Sequence, residues 1–469
     1  MGRTTNSTTR DDANRHEAAP ETSKRRYWHH KPRTTAVVEF APFVELPHEG
    51  RVFVIGMPNA QALDRWVGEH EVSIFLDGHH PVIADAERTI TDAGTWWPAE
   101  CDPTIALRAW RWVEAALRHE WKDDGVCLLN TPGSTGRDLW LRTPAADGCP
   151  IMSAEAQALV RSTSGQGRVE TFPARAPLAA GLYEYDMRLA YAAVLRRLPM
   201  GEPAVLEAAD SLDLVEVVCA RTSRAEITFR PPADWSPRPG IIGVRAGENY
   251  GWSWPTEPVW HGPTWADGAE IELAVRHGWS VNVRRALVWE RTGDPLRLWS
   301  DRLVSILAAG ERTLSPDGFR HVRSMVRAII LHTIGAFHGA PHRVTCTAPD
   351  LGSAPIGADM LRVHVDHVSW REQRPAKWPE AVHPEWSAHV WARCRRRLLD
   401  TPGGGGMLNI EPSTLIAVRT DAVYTTAPTG WEHADDGRPG RWVLKHADGT
   451  AQPWPRTGSD VVAARKGTR

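Results

Sequence analysis

Apolar positions change their period several times along the chain, and each change marks a predicted element. Val37-Val38, Val52–Ile55 and Val72–Leu76 are short apolar runs of strand type. Asp102 is placed to cap a helix with Pro103 in its first turn, carried on by Leu107, Trp110, Val113 and Leu117 at helical spacing. Gly125 closes that stretch, and Val126–Leu129 follows as a buried strand. Strand–helix–strand alternation over 35–163 predicts a compact α/β unit.

Beyond Ser164 the pattern changes. Gly181–Asp186 reads as a strand running into a helix from Leu189 to Leu198, stopped by Pro199. A second helix is expected over about 268–277, capped by Asp267 and ended by Gly278, and a third over 317–337. Residues 340–385 are loop-rich apart from a strand-like piece at Leu361–Val368, and Arg393–Leu399 closes a basic helix. Gly403–Gly406 is a flexible link. Leu415–Val418 and Val423–Thr426 flank Arg419-Thr420-Asp421-Ala422 as the arms of a hairpin. Residues 1–34 are polar, charged and aperiodic, which predicts a disordered tail.

Length bounds the architecture: 469 residues exceed the roughly 250–300 at which one core stops growing, so several subdomains are expected. No apolar run approaches the ~18 residues of a membrane span, and the basic start lacks the apolar core of a secretory signal. The six cysteines are scattered with no Cys-x-x-Cys pair, so a zinc module or disulfide framework is not expected. A reducing cytoplasm fits this cysteine pattern best. The net charge of −2 does not single out a nucleic-acid binder, but a large enzyme can hold a basic channel beside acidic surfaces.

Asp186 stands at a strand end, where a carboxylate projects from fixed backbone into a cleft. Asp421 occupies the hairpin tip, which can bring it beside Asp186. Two such carboxylates can hold two divalent ions about 3.5–4 Å apart, as phosphoryl transfer requires. Taken singly, either aspartate also reads as a cap or turn residue. Arg320, Arg323 and Arg327 share one face of the third helix, either as a solvated stripe or as a cradle for a triphosphate. His364 and Asp366 share one strand face with His367 nearby, read as a hydrogen-bonded surface rather than a zinc site.

The order of these segments resembles that of protein-primed family B DNA polymerases, over about residues 164–450. GLYEYDMRLAYAAVLRRLPMGEP, Gly181 to Pro203, is similar to the family's motif A, and Gly165-Gln166-Gly167-Arg168 lies where the family has a template-strand loop. Arg327–Gly335 resembles motif B, Trp386–Leu399 the helix before motif C, Val418–Tyr424 motif C, and Arg441–Lys445 an element near the thumb. The resemblance implies a mixed α/β right-hand fold of palm, fingers and thumb. It implies Asp186 and Asp421 as catalytic metal ligands, with the Met187 carbonyl assisting two Mg²⁺ or Mn²⁺ ions. It also implies Tyr191, Arg323, Arg327 and Lys445 on the nucleotide, and Gln166, Gly167, Arg168 and Arg393 on DNA. Primer–template DNA and deoxynucleoside triphosphates are the implied partners, with a terminal priming protein as a further one, and no membrane.

The departures are local. Leu189, Ala190 and Ala192 replace Ser, Leu and Pro in motif A; Leu331 and Ile334 replace Asn and Tyr in motif B; Arg419 replaces the first aspartate of motif C. The family's exonuclease carboxylates are missing from Val37–Phe40, where Glu39 is alone, and from Leu129–Asp138, where Asp138 reads as a helix cap. The expected division is a tail (1–34), a degenerate exonuclease-like, RNase H-like domain (35–163), palm (164–300), fingers (301–339), an insertion (340–385), palm again (386–430) and a thumb-like end (431–469). The expected activity is DNA polymerisation without 3′–5′ proofreading. The alternative is a catalytically reduced relative that binds DNA as a replication or defence accessory.

Overall fold

The structure, a computed structural model, describes residues 35–39, 51–55, 82–85, 90–92, 96, 103–129, 131–165, 167–173, 178–208, 213–246, 251–339, 342–353, 359–363, 367–374, 378–431, 438–455, 457 and 459–461. The tail, the 72–76 run, the Asp102 cap, Gln166, His364 and Asp366 lie outside these residues. The chain is a mixed α/β protein whose sheets are mostly antiparallel. Strands β1 (Thr35–Glu39), β2 (Arg51–Ile55), β3 (Val82–Asp85) and β4 (Ile90–Asp92) pair in sequence order, with β1 and β2 parallel. Helices α1 (Pro103–Trp121), α2 (Pro132–Leu141) and α3 (Ala154–Thr163) follow.

The second half is built on two sheets. The central one has five strands in the order β16-β6-β15-β14-β5: β5 is Arg168–Thr171, β6 Leu182–Met187, β14 Leu415–Thr420, β15 Ala422–Thr425 and β16 Trp442–Asp448. Beside it lies a four-stranded sheet of β7 (Ala204–Glu207), β8 (Thr222–Arg230), β9 (His261–Asp267) and β10 (Ser280–Trp289), in the order β9-β8-β10-β7. Helices α4 (Leu214–Ala220), α5 (Gly268–Arg276), α6 (Arg297–Thr313), α7 (Pro316–Phe337) and α8 (Pro384–Leu399) surround the sheets. Between α7 and α8, β11 (His342–Ala348), β12 (Asp359–Val363) and β13 (Val368–Arg374) form a small sheet of their own, β13 in the middle. No described helix is long and apolar enough to cross a membrane.

Local chemistry explains the boundaries that were expected. Asp267 and Glu270 form a reciprocal capping box that starts α5, and Gly278 turns the chain after it at φ 80°. Ser315 caps α7, with Pro316 at the first position and Asp317 favourably placed at the positive end of the helix dipole. The apolar face of α7 buries Val322, Met325, Val326, Ile329, Ile330, Ile334 and Phe337.

Several expectations are corrected. No helix runs from Leu189 to Leu198: Leu189 and Arg197 both take left-handed backbone (φ 46° and 52°), and only a 3₁₀ turn, Ala192–Val194, lies between them. Val126–Leu129 enters no sheet, although Val126 and Leu128 are buried. Asp138 is not a cap; Thr131 caps α2, and Asp138 sits inside it accepting a 2.8 Å hydrogen bond from Arg142 Nε. The piece expected at 361–368 is divided between β12 and β13.

The packing of α2 bears on the site. It crosses α7 at backbone distance: a Cβ on Gly133 would lie 3.0 Å from the His332 carbonyl, and one on Gly136 would lie 1.7 Å from Thr333 Oγ1. Trp299 of α6 donates to the Gly136 carbonyl at 3.0 Å. Helices α1 and α2 therefore share one continuous core with α6, α7 and the central sheet, so packing shows no break at residue 163. Gly136→Ala is expected to destabilise by about 1–3 kcal/mol through overpacking. In contrast, Gly335→Ala on the same α7, where an added Cβ meets nothing within 4 Å, is expected to stabilise by about 0.5–1 kcal/mol. Urea denaturation of both variants checks the pair, and equal effects would contradict this account of the crossing.

Candidate functional site

The site begins with strand pairing. Strand β6 is the middle partner of β15 and β16, so Asp186 faces Ala422 on one side and Val443 on the other. Strands β14 and β15 join through Thr420-Asp421, where Arg419 pairs with Ala422 across a two-residue turn. Thr420 supplies the left-handed conformation this turn needs, at φ 56°, and its hydroxyl donates to Asp421 Oδ1 at 2.9 Å. The Met187 amide donates to the Asp421 carbonyl at 2.9 Å. The two aspartates, far apart in sequence, thus meet at one end of the central sheet.

Their charge is balanced by two cations from other elements. Arg327 of α7 forks across both carboxylates, with Nη2 2.9 Å from Asp421 Oδ2 and Nη1 3.5 Å from Asp186 Oδ2. The Lys445 ammonium on β16 contacts Asp186 Oδ2 from the neighbouring strand. Asp186 and Asp421 are largely buried, whereas Arg327 and Lys445 keep partial access to solvent. Burial, and then the adjacent Asp186 carboxylate, push the Asp421 carboxyl above the usual carboxylate range, although Arg327, the Thr420 hydroxyl and Lys445 pull it down.

A solvent-open cleft reaches Asp186 and is lined by Asp186, Arg188, Leu189, Leu307, Phe319, Arg323 and Arg327. The expected arginine stripe therefore divides. Arg323 and Arg327 line the cleft, while Arg320 pairs with Asp317 at 3.4 Å on the exposed side of α7. Tyr191 is not among the lining residues. It is half-buried against the core, and burial first, then Cys394 and Asp421, raise its hydroxyl well above the ordinary phenol value. Leu189, in its left-handed conformation, forms the wall at that point. Sequence reasoning missed Arg188, Leu189, Leu307 and Phe319 as cleft residues; only tertiary packing of α6 and α7 over the sheet identifies them.

The residues expected on DNA fare unevenly. Gly167 abuts the Asp421 turn, since a Cβ there would lie 3.1 Å from Thr420 Cγ2. Arg168 is corrected: its side chain is fully buried, its Nη1 donating to the Gly240 carbonyl at 2.7 Å and its Nε to Glu170 at 2.8 Å, while its guanidinium lies 4.6 Å over the Trp254 ring. Arg393 is half-buried and donates to the Arg196 carbonyl. Arg419, the residue that departs from motif C, is exposed at the end of β14.

Behind the site, buried ion pairs fix α8. Arg395 grips Glu270 through two bonds of 2.7 and 3.0 Å, and His389 Nδ1 lies 2.7 Å from Asp267 Oδ2. His338, at the end of α7, meets Ser164 Oγ at 2.8 Å just before Gly165.

A divalent cation fits part of what is present. The two carboxylates are hard oxygen donors of the kind Mg²⁺ and Mn²⁺ take. Among the described residues no group of three or more acidic, histidine or cysteine side chains is assembled, so remaining ligands must come from substrate or water.

Among solved structures, the chain is similar to phi29 DNA polymerase in an orthorhombic crystal form, at 15% identity and a TM-score of 0.48, covering 82% of this chain and 63% of that one. It is similar to the same polymerase complexed with primer-template DNA and incoming nucleotide substrates, at 17% identity and a TM-score of 0.46, covering 68% and 53%. The polymerase complexed with single-stranded DNA gives 16% identity and 0.47, covering 82% of this chain and 62% of that one. The chain thus spans less than two thirds of the length of these structures. No family model and no curated protein matches the sequence. At this level of similarity the matches assign neither a family nor an activity.

One pH-dependent consequence follows from the His338 contact. Burial, with Arg161 and Arg224 nearby, lowers its pKa from 6.5 to about 4, so the folded state disfavours the charged ring. That contribution to stability is complete above pH 6.5 and is lost as pH falls towards 4, at up to about 1.4 kcal/mol per pH unit. Wild type minus His338→Gln stability, measured by urea denaturation from pH 7 to 4, should decline over that window; a flat difference would contradict it.

Proposed function

We propose that this chain is a template-directed DNA polymerase of the family B kind, with the central sheet as palm and α7 as the fingers helix. The observation that carries the reading is the convergence of Asp186 and Asp421 on Arg327, with Asp186, Arg323 and Arg327 lining one cleft. In this reading Asp186, Asp421 and the Met187 carbonyl hold two Mg²⁺ or Mn²⁺ ions, which when bound stabilise negative charge on the reacting phosphate. Arg327 and Arg323 bind the polyphosphate of an incoming deoxynucleoside triphosphate, and Lys445 serves the primer end or the nucleotide. The primer 3′-oxygen bonds to the α-phosphorus as the bond to pyrophosphate breaks. In the same reading Gly167, next to the Asp421 turn, borders the template strand.

Priming by a protein hydroxyl is proposed on the motif order alone. Proofreading is not expected, because in the region of the second exonuclease motif Asp138 is engaged with Arg142 instead of standing in a carboxylate cluster. The catalytically reduced, DNA-binding reading is favoured by one observation: both aspartates already carry cationic partners, with Arg419 adding positive charge one turn away.

Extension of a labelled primer–template with Mg²⁺ or Mn²⁺ separates the two readings. The polymerase predicts extension by wild type, with Asp186→Ala and Asp421→Ala at background while duplex binding, read by fluorescence anisotropy, is retained. Duplex binding without extension by wild type under either metal would establish the reduced relative instead.

A further inference from the structure

Resting on that assignment of Asp186 and Asp421 as metal ligands, we propose that Arg327 is also a latch, which occupies the carboxylates when no nucleotide is present and gives them up when a polyphosphate enters the cleft. The geometry is specific. One planar guanidinium spans two carboxylates, Asp186 at the end of β6 and Asp421 in the β14–β15 turn, with one nitrogen on an Oδ2 atom of each, donors on which a cation between the aspartates would draw. Arg327 comes from α7, whereas its two acceptors belong to the central sheet, so the pairing ties the helix to the sheet directly over the site. Lys445 reinforces the closed arrangement by contacting the same Asp186 oxygen from β16.

Charge sets the direction of the switch. In the latched state two carboxylates and two cationic side chains balance, so a divalent ion entering alone must displace a guanidinium and leave it without an anion. A polyphosphate entering alone meets Arg327 already engaged with both carboxylates. Entering together they exchange partners: phosphate oxygens take Arg327, and the freed carboxylates take metal. The side chain can make this move without helix α7 leaving its seat on α2, because Arg327 is partly solvent-exposed and lines the cleft itself. Metal binding without nucleotide is therefore weakened by the latched fraction, which reduces apparent affinity in proportion to the unlatched population.

The test reads metal binding, not turnover. Mn²⁺ binding to the nucleotide-free full chain is followed by the loss of the free-ion electron paramagnetic resonance signal, for wild type, Arg327→Gln and Arg327→Lys. Arg327→Gln should bind Mn²⁺ about tenfold more tightly than wild type. Arg327→Lys keeps the charge but cannot fork across two carboxylates, so it should fall between the two. No gain for Arg327→Gln overturns the latch, and so does Arg327→Lys matching wild type while Arg327→Gln gains, since net charge alone would then explain the effect. An Asp186→Asn, Asp421→Asn variant separates this failure from that of the underlying assignment. Mn²⁺ binding lost in that variant leaves the metal site standing whatever the arginine variants do. Mn²⁺ binding that survives in it removes the site, and the latch with it.

Discussion

Burying two like charges side by side, one at a strand end and one in the neighbouring turn, is unfavourable unless cations are brought to them, and this constraint organises the site. At about 4 Å and an effective dielectric near 20, two unit charges interact by about 4 kcal/mol, more than an ordinary hydrogen bond returns. The protein meets the constraint with Arg327, from helix α7, and Lys445, from β16 at the edge of the sheet itself. Burial and Asp186 together still hold the Asp421 carboxyl above its ordinary range, so the balance leaves room for a stronger cation. A site under such tension is suited to exchanging its counter-ions.

The rest of the fold keeps those four groups in register. Pairing of β6 with both β15 and β16 fixes Asp186 against the Asp421 turn and beneath Lys445. Helix α7 is held over them from behind by α2, through a crossing close enough that Gly136 admits no side chain. Helix α8 is locked to α5 by Arg395–Glu270 and His389–Asp267, pairs whose members are all nearly excluded from solvent. Removing one partner from such a pair leaves an uncompensated buried charge, which makes these contacts rigid supports even where their net stabilisation is small.

Much of this was legible in the sequence, and the failures share a cause. The cap at Asp267, a helix covering 317–337 and the hairpin around Asp421 are written in local chemistry, and they stand where the sequence indicates. The convergence of Asp186, Asp421, Arg327 and Lys445 was legible only because motif order supplied the long-range pairing that local pattern lacks. Leu189 defeated helical periodicity because its left-handed backbone is imposed by packing, at a cost no apolar spacing records. Arg168 read as a surface cation because sequence carries no sign that Glu170, Gly240 and Trp254 enclose it. The glycines of α2 carry no local signal of their role, which is to let α7 approach at backbone distance.

The central claim is that Asp186 and Asp421 form one cation site that Arg327 vacates for a polyphosphate. The most direct measurement is anomalous diffraction from crystals grown with Mn²⁺ and a deoxynucleoside triphosphate, compared with crystals grown without either. The account predicts a manganese peak between the two carboxylates, with the Arg327 guanidinium moved from Oδ2 onto phosphate oxygens. A nucleotide bound with no manganese between the aspartates, and Arg327 still forked across them, would contradict it.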